Sequence, residues 1–302
     1  LATALVFVLH PVQTEAVTYA SGRSTSLSAL FALGSIAVWV QGREVTDFRT
    51  SRPMLLYLVS PMLMLAAIAT KETMAIVPAV LLLWEAADVS RPFRWRRILA
   101  RTGLHWLVLG GALLAVLSLP VYRDLLASSL ATRPVAGNLV AQLHGIRYLA
   151  GQLLNIDRMN ADPALPAVVE LDAAGSVTLV VLVVAGGLAL TTVRRYPVPA
   201  FAVLWFLLWL SPTNSLLARL DVVNDRQLYV ALAGPALLLA AAVRRLAARQ
   251  PRLAFAAFVA VLGLTGLATH LRNEVYRDEV TFWRDVVGRS PHNARAFNNL
   301  GI

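Results

Sequence analysis

Residues 177–193 read Val-Thr-Leu-Val-Val-Leu-Val-Val-Ala-Gly-Gly-Leu-Ala-Leu-Thr-Thr-Val, a run without a charge, followed at once by Arg194 and Arg195. A stretch of that length and composition crosses a hydrocarbon core of about 30 Å as a helix. It is one of several. Blocks of the same kind occupy 104–121, 228–243 and 253–269, and shorter ones occupy 27–40, 54–69, 74–87 and 198–210. In lipid every backbone polar group must be paired inside the segment or across a closed barrel. A barrel would show short alternating segments, and these runs are continuous in Leu, Ala and Val. The fold class read from them is all-α: a polytopic helical membrane protein of about eight or nine spans.

Composition agrees. Hydrophobic residues make up 58% of the chain and charged residues 15%, with a mean hydropathy of +0.65, outside the balance of a water-soluble domain. Cysteine is absent, so disulfides and thiolate metal sites are excluded within these residues.

The net charge of +10 suits nucleic acid less well than it suits membrane topology, because of where the arginines fall. They lie between apolar blocks: Arg43, Arg49 and Arg52; Arg91, Arg94, Arg96, Arg97 and Arg101; Arg194 and Arg195; Arg244, Arg245, Arg249 and Arg252. That is the pattern of cytoplasmic loops. It places 10–24, 70–73, 122–175, 211–227 and everything after 270 outside. The segment 139–154 carries His144 and Arg147, and reads as an interfacial helix on the external face.

Both ends of the chain are abrupt. Residues 1–9 are apolar, without an initiator Met, a charged flank or the length to span. The spacing of Pro291, Asn293, Ala294, Ala296, Phe297, Leu300 and Gly301 matches the junction between tetratricopeptide repeats. The expected organisation is a membrane domain over 1–270, shortened at its N-terminus, and the start of an external repeat region over 271–302, shortened at its C-terminus.

Ionisable residues at membrane depth are costly and default to a functional reading. Four external clusters carry them. The first holds His10, Pro11, Thr14, Glu15 and Arg23; an interfacial salt bridge that fixes the turn is the plain alternative. The second is Lys71-Glu72, where Lys71 is the only lysine in the chain. A compact ammonium there could hold a lipid phosphate, or could simply snorkel at a tight turn. The third runs through Arg147, Tyr148, Asp157, Arg158, Asn160, Asp162 and Pro163, for which amphipathic packing on the external surface is the favoured account. The fourth joins Asp221, Asn224, Asp225, Arg226 and Tyr229. There Arg226 could reach a phosphate oxygen with paired donors while Asp225 and Tyr229 orient it; an ordinary helix cap with an interfacial tyrosine is the plain alternative. Arg272, Asn273 and Trp283 read as joint residues between the two regions. No phosphate-binding glycine loop, no metal-ligand spacing and no Ser-His-Asp arrangement is present.

Taken in order, these stretches resemble the transmembrane and tetratricopeptide repeat-containing proteins and their bacterial relatives, of the GT-C glycosyltransferase class. The matching residues are His10 to Val17 with Gly22-Arg23, Lys71-Glu72, Arg147-Tyr148-Leu149, Asn160 to Pro163, Pro212 to Ser215, Asp225 to Tyr229, and the entry into repeats from Arg272-Asn273 to Gly301. The resemblance implies a membrane enzyme that moves a sugar, typically mannose, from a polyprenyl-phosphate donor to a protein hydroxyl at the external face. It implies donor-phosphate binding by Arg23, Lys71 and Arg226, supported by His10, Glu15, Glu72, Arg147, Asp162, Asp225 and Tyr229. It implies no cofactor, and it places the general base in a loop before Leu1. Where glutamate is usual this chain has Asp225. The implied setting is a bacterial inner membrane with the repeats outside, helping to bind the acceptor. A transporter and a non-catalytic scaffold are the competing readings.

Overall fold

The computed structural model describes residues 1–43, 52–157, 159–214 and 216–301. Arg49, Arg158 and Ser215 lie outside the described residues. Every element is helical. The first are α1 (Ala2–Leu9), α2 (Thr14–Val17) and α3 (Arg23–Arg43). Next, α4 (Arg52–Met54) runs through a π-type stretch, Leu55–Val59, into α5 (Ser60–Thr70), followed by α6 (Val77–Ala87), α7 (Trp95–Ser118), α8 (Pro120–Thr132) and α9 (Val135–Gln152). The remainder are α10 (Ala173–Thr192), α11 (Pro197–Leu210), α12 (Leu228–Ala231), α13 (Ala233–Ala247), α14 (Pro251–Val275), α15 (Glu279–Arg289) and α16 (Ala294–Leu300).

Local signals start these helices where they start. Pro197 and Pro251 occupy first positions, where a missing N–H costs nothing. Asp172 caps α10 by accepting from the Gly175 N–H at 2.7 Å, and Asp278 caps α15 by accepting from Thr281 at 2.8 Å.

The helices Ala20–Arg43, Trp95–Ser118, Ala173–Thr192 and Pro251–Val275 are long and apolar enough to cross a membrane. A fifth candidate is the pair Asp225–Ala231 and Ala233–Ala247, bent by 53°. The protein is therefore an integral membrane protein, with four or five candidate spans among the described residues. That is fewer than the eight or nine expected, because the blocks near 54–69, 74–87 and 198–210 form the shorter helices Leu55–Thr70, Val77–Ala87 and Pro197–Leu210. The outward face of α10 shows why lipid is the solvent: Val177 is 64% exposed, Val183 65% and Leu190 65%. An apolar surface of that extent would not be stable in water.

Polar side chains sort to two ends. At one end Arg43 pairs with Asp88 at 2.5 Å and Glu85 at 3.5 Å, Arg101 pairs with Glu85 at 3.2 Å, and Arg194 donates to the carbonyls of Ala86 and Arg91. At the other end lie Glu15, Lys71, Asp225, Arg226 and Arg272. The 21 residues of α3 join the two layers, spanning about 30 Å at ~1.5 Å per residue. Antiparallel α5 tracks α3, with Ser60 bonded to Ser35 mid-way and Lys71 bonded to Thr25 at the far end.

Of the segment 139–154, residues 139–152 belong to α9, which is not among the candidate spans. Its buried face is partly polar: Asn138, Gln142 and Gln152 alternate with Gly137, Ala141, Gly145 and Leu149. At the C-terminal side, α15 and α16 form one helix hairpin around Phe282, Val286 and Ala296. No repeat domain is identified in it.

The tightest helix crossing is between α11 and α13. A Cβ placed on Gly234 would sit 2.3 Å from the Ala202 carbonyl oxygen, whereas one on Gly187 would meet nothing within 4 Å. Gly234→Ala should therefore destabilise the protein by about 1–3 kcal/mol, and Gly187→Ala should not. Thermal unfolding in detergent reads the difference, and equal midpoints for the two variants would contradict the packing.

Candidate functional site: a cationic cavity at one end of the bundle

The polar end opposite the arginine layer is built on a folded-back turn. Pro11 ends α1, and the chain returns so closely that a Cβ on Gly22 would lie 2.2 Å from the Glu15 carbonyl oxygen. Only glycine allows that approach. The turn is tied from inside. His10 Nδ1 accepts from the Val12 N–H at 3.3 Å, so Nε2 carries the proton and donates to Leu153 O at 3.2 Å. Burial holds this imidazole below its usual pKa, and it is neutral at pH 7. Gln13 donates to Phe7 O and Tyr229 O, and Thr14 donates to Pro11 O.

The result is a buried Glu15, 3% exposed, aimed at the turn that opens α12. Its Oε2 accepts from the Arg226 backbone N–H at 2.8 Å, and its Oε1 lies 3.7 Å from Arg226 Nε. Burial pushes the Glu15 carboxyl above the usual range, against the opposing pull of Arg226, Arg272 and Lys71. Arg226 Nε also donates to Asn224 Oδ1 at 3.2 Å. Glu15 thus positions Arg226 by its backbone and its inner nitrogen. The two terminal nitrogens of the guanidinium make no hydrogen bond among the described residues, and Arg226 lines a cavity.

That cavity measures about 30 Å³ and is lined by Lys71, Arg219 and Arg226 together with Thr25, Trp209, Asn224 and Tyr229. It has room for a few water-sized groups and is too small for a sugar ring. None of its lining residues is acidic. Lys71 ends α5 in an extended conformation, and its Nζ spends one of three donors on Thr25 Oγ1 at 2.6 Å. The Trp209 indole N–H is buried, lines the same cavity and has no partner among the described residues. Three cations and an unused donor around a space of that size are chemically suited to a small anion.

Of the residues anticipated from sequence, Lys71, Arg226, Glu15, Asp225 and Tyr229 come together here, with His10 beneath them. Asp225 is buried beside Glu15 and accepts a hydrogen bond from Gln152, which also donates to the Tyr148 hydroxyl. Four others stand apart. Arg23 is exposed at the start of α3, with no ion pair among the described residues and no place in the cavity wall. Glu72 is exposed, and Arg147 is exposed near Asp172. Asp162 pairs with Arg295 at 3.1 Å. It belongs to a strip that docks the α15–α16 hairpin: Asn160 donates to Ser290 at 2.7 Å, Asn293 to Asp162 O at 3.1 Å, and Ser290 to Pro163 O at 3.1 Å. Arg272 completes the joint by pairing with Asp285 at 2.7 Å.

Arg219, Thr25 and Trp209 were not anticipated. Arg219 sits in an unremarkable Leu-Leu-Ala-Arg-Leu stretch, and only the return of that loop over α5 brings it to Lys71. No family model, curated protein or solved structure matches the chain. Among the described residues no group of three or more His, Asp or Glu could hold a metal ion.

Burial and the neighbouring Arg226 and Arg219 push the Lys71 ammonium down to about 8, against the smaller upward pull of Glu72 and Glu15. Below that pH the cavity carries three positive charges; above it, two. Reductive ¹³C-methylation labels this single lysine, so its NMR signal should titrate near pH 8. A midpoint above pH 10, the value of a free lysine, would show that the ammonium does not lie among those cations.

Proposed function

We propose that this protein is a membrane glycosyltransferase, of protein O-mannosyltransferase type, that takes its sugar from a polyprenyl-phosphate donor. The observation that supports this reading is the small cavity at one end of an apolar bundle, walled by Lys71, Arg219 and Arg226 without an acid. A polyprenyl phosphate keeps its chain in the bilayer and presents its phosphate at that depth. A soluble anion would have no reason to seek a site framed by lipid-facing helices.

In the transfer, an acceptor hydroxyl oxygen bonds to the anomeric carbon while the bond from that carbon to the phosphate oxygen breaks. The electron pair and the extra negative charge go to the departing polyprenyl phosphate. Cations fixed before the reaction stabilise that charge more in the transition state than in the ground state. Lys71 would supply a point charge, and Arg226 and Arg219 paired donors. Glu15 is a positioning residue, because its contact is to the back of Arg226 rather than to the cavity. The hydroxyl proton goes to a general base, a role assigned to none of the described residues. In this reading the cavity end faces the external or periplasmic side of a bacterial inner membrane. The α15–α16 hairpin is then the seat of an external repeat region that helps present the acceptor protein.

A transporter would need a path through mid-membrane. The 53° break in the fifth candidate span separates Asp225–Ala231 from the longer Ala233–Ala247, so it falls toward one end of the span and on the cavity side.

In membranes supplied with polyprenyl-phosphate mannose, Lys71→Ala and Arg226→Ala should each lower transfer by about a hundredfold or more. Arg219→Ala should be similarly damaging, while Arg23→Ala should stay within about twofold, as expected of an exposed residue away from the site. Undiminished transfer by both Lys71→Ala and Arg226→Ala would refute the donor-phosphate assignment.

A further inference from the structure

The arginine-rich end of the bundle carries a second, unrelated site between α11 and α13. These helices run antiparallel and are closest where Gly234 meets the Ala202 carbonyl. Toward the other end they part, leaving an open groove of about 560 Å³ floored by Val198, Leu238 and Ala241. Pro197 and Val198 also wall an adjoining cavity of about 290 Å³, lined further by Trp84 and Phe201 and, at one side, by the mutually paired Arg43 and Asp88. The space therefore has two largely apolar limbs that meet at Val198.

At its mouth stand Arg195, Arg244 and Arg245. Helical spacing puts Arg244 and Arg245 one turn beyond Ala241, on the same face as the groove floor. All three arginines are exposed, and none has an ion pair among the described residues. The Arg195 guanidinium lies over the Tyr196 ring, 5.4 Å from its centroid. Among the described residues the acids of this end are already engaged: Glu85 with Arg43 and Arg101, Asp88 with Arg43 and Arg91. The groove thus combines an apolar floor with three cations that have no ion pair among the described residues, at the arginine-rich ends of α11 and α13.

We propose that this groove binds a phospholipid with a net negative headgroup, its acyl chains along the two apolar limbs and its phosphate against Arg195, Arg244 and Arg245. Charge decides between lipid classes. A zwitterionic headgroup would bring its own cation to three arginines that have no counter-charge among the described residues. A water-soluble anion would gain nothing from the floor. The site lies at the opposite end of α11 and α13 from the Lys71 cavity, so it stands or falls independently of the proposed transferase activity.

The test is native mass spectrometry of the delipidated full chain with phosphatidylglycerol or phosphatidylcholine of identical acyl chains. The wild type should retain phosphatidylglycerol about tenfold better. Arg195→Ala combined with Arg244→Ala and Arg245→Ala should abolish that preference. Ala241→Trp, or Val198→Phe should the first variant fail to fold, fills the floor while keeping the arginines, and should lower retention about tenfold. Arg94→Ala with Arg96→Ala and Arg97→Ala removes as much charge from the same end outside the groove and should change nothing. Equal retention of the two lipids overturns the proposal. So does an equal loss from the Arg94, Arg96 and Arg97 variant, which would show general attraction to a basic surface, or full retention when the floor is filled.

Discussion

Hydrocarbon offers no hydrogen bonds, and that one property orders this molecule. Backbone groups must be satisfied inside each helix, and ionised side chains must leave the apolar layer or find partners within it. The chain does both. Its charges collect at the two ends of α3, and the polar side chains that remain between them bond to one another. Ser35 and Ser60 exchange hydrogen bonds with each other's carbonyls, and the Ser60 hydroxyl lies 2.8 Å from His105 Nε2. This knot ties α3, α5 and α7 together mid-way along the bundle.

The same constraint shapes the cavity. Lys71, Arg219 and Arg226 repel one another, and bringing them together at the edge of an apolar bundle is unfavourable unless something negative is near. Glu15 offsets part of that repulsion from behind, where its carboxylate is bonded to the Arg226 N–H and is not available as a direct ligand. The charge that remains faces the opening. In the proposed reading the site is organised before its anion arrives, so little rearrangement is needed when negative charge appears there.

The two ends solve the problem of charge differently. In the arginine-rich layer Arg43, Arg101, Glu85 and Asp88 form a neutralised, largely buried network that fastens α3, α6 and α7. At the mouth of the α11–α13 groove the arginines have no such partners. At the cavity end Glu15 and Asp225 lie beneath the site, while Asp162, Asp221 and Asp285 serve the hairpin joint. Asp221 and Asp162 both hold Arg295, and Asp285 holds Arg272 and Arg289. The hairpin is therefore fastened to the membrane domain by ion pairs and side-chain amides over only a small apolar contact around Tyr19, Phe282 and Val286.

Helix class, membrane solvent and the separation of charges were determined by the sequence itself, because each depends on local properties: uninterrupted apolar runs, the helical period, and arginines at the ends of blocks. Lys71 and Arg226 were legible for the same reason, as cations set directly against apolar stretches. Only the tertiary structure decided which charges share a cavity. Arg219 joined Lys71 and Arg226 through the return of the 211–227 loop, while Arg23, near Glu15 in sequence, turned outward at the start of α3. Asp162 likewise stands away from the cavity and holds Arg295. Span number was also beyond a count of apolar blocks, since Leu55–Thr70 and Pro197–Leu210 pack within the bundle as helices shorter than the long spans. Proximity across hundreds of residues is a property of packing, and no local pattern encodes it.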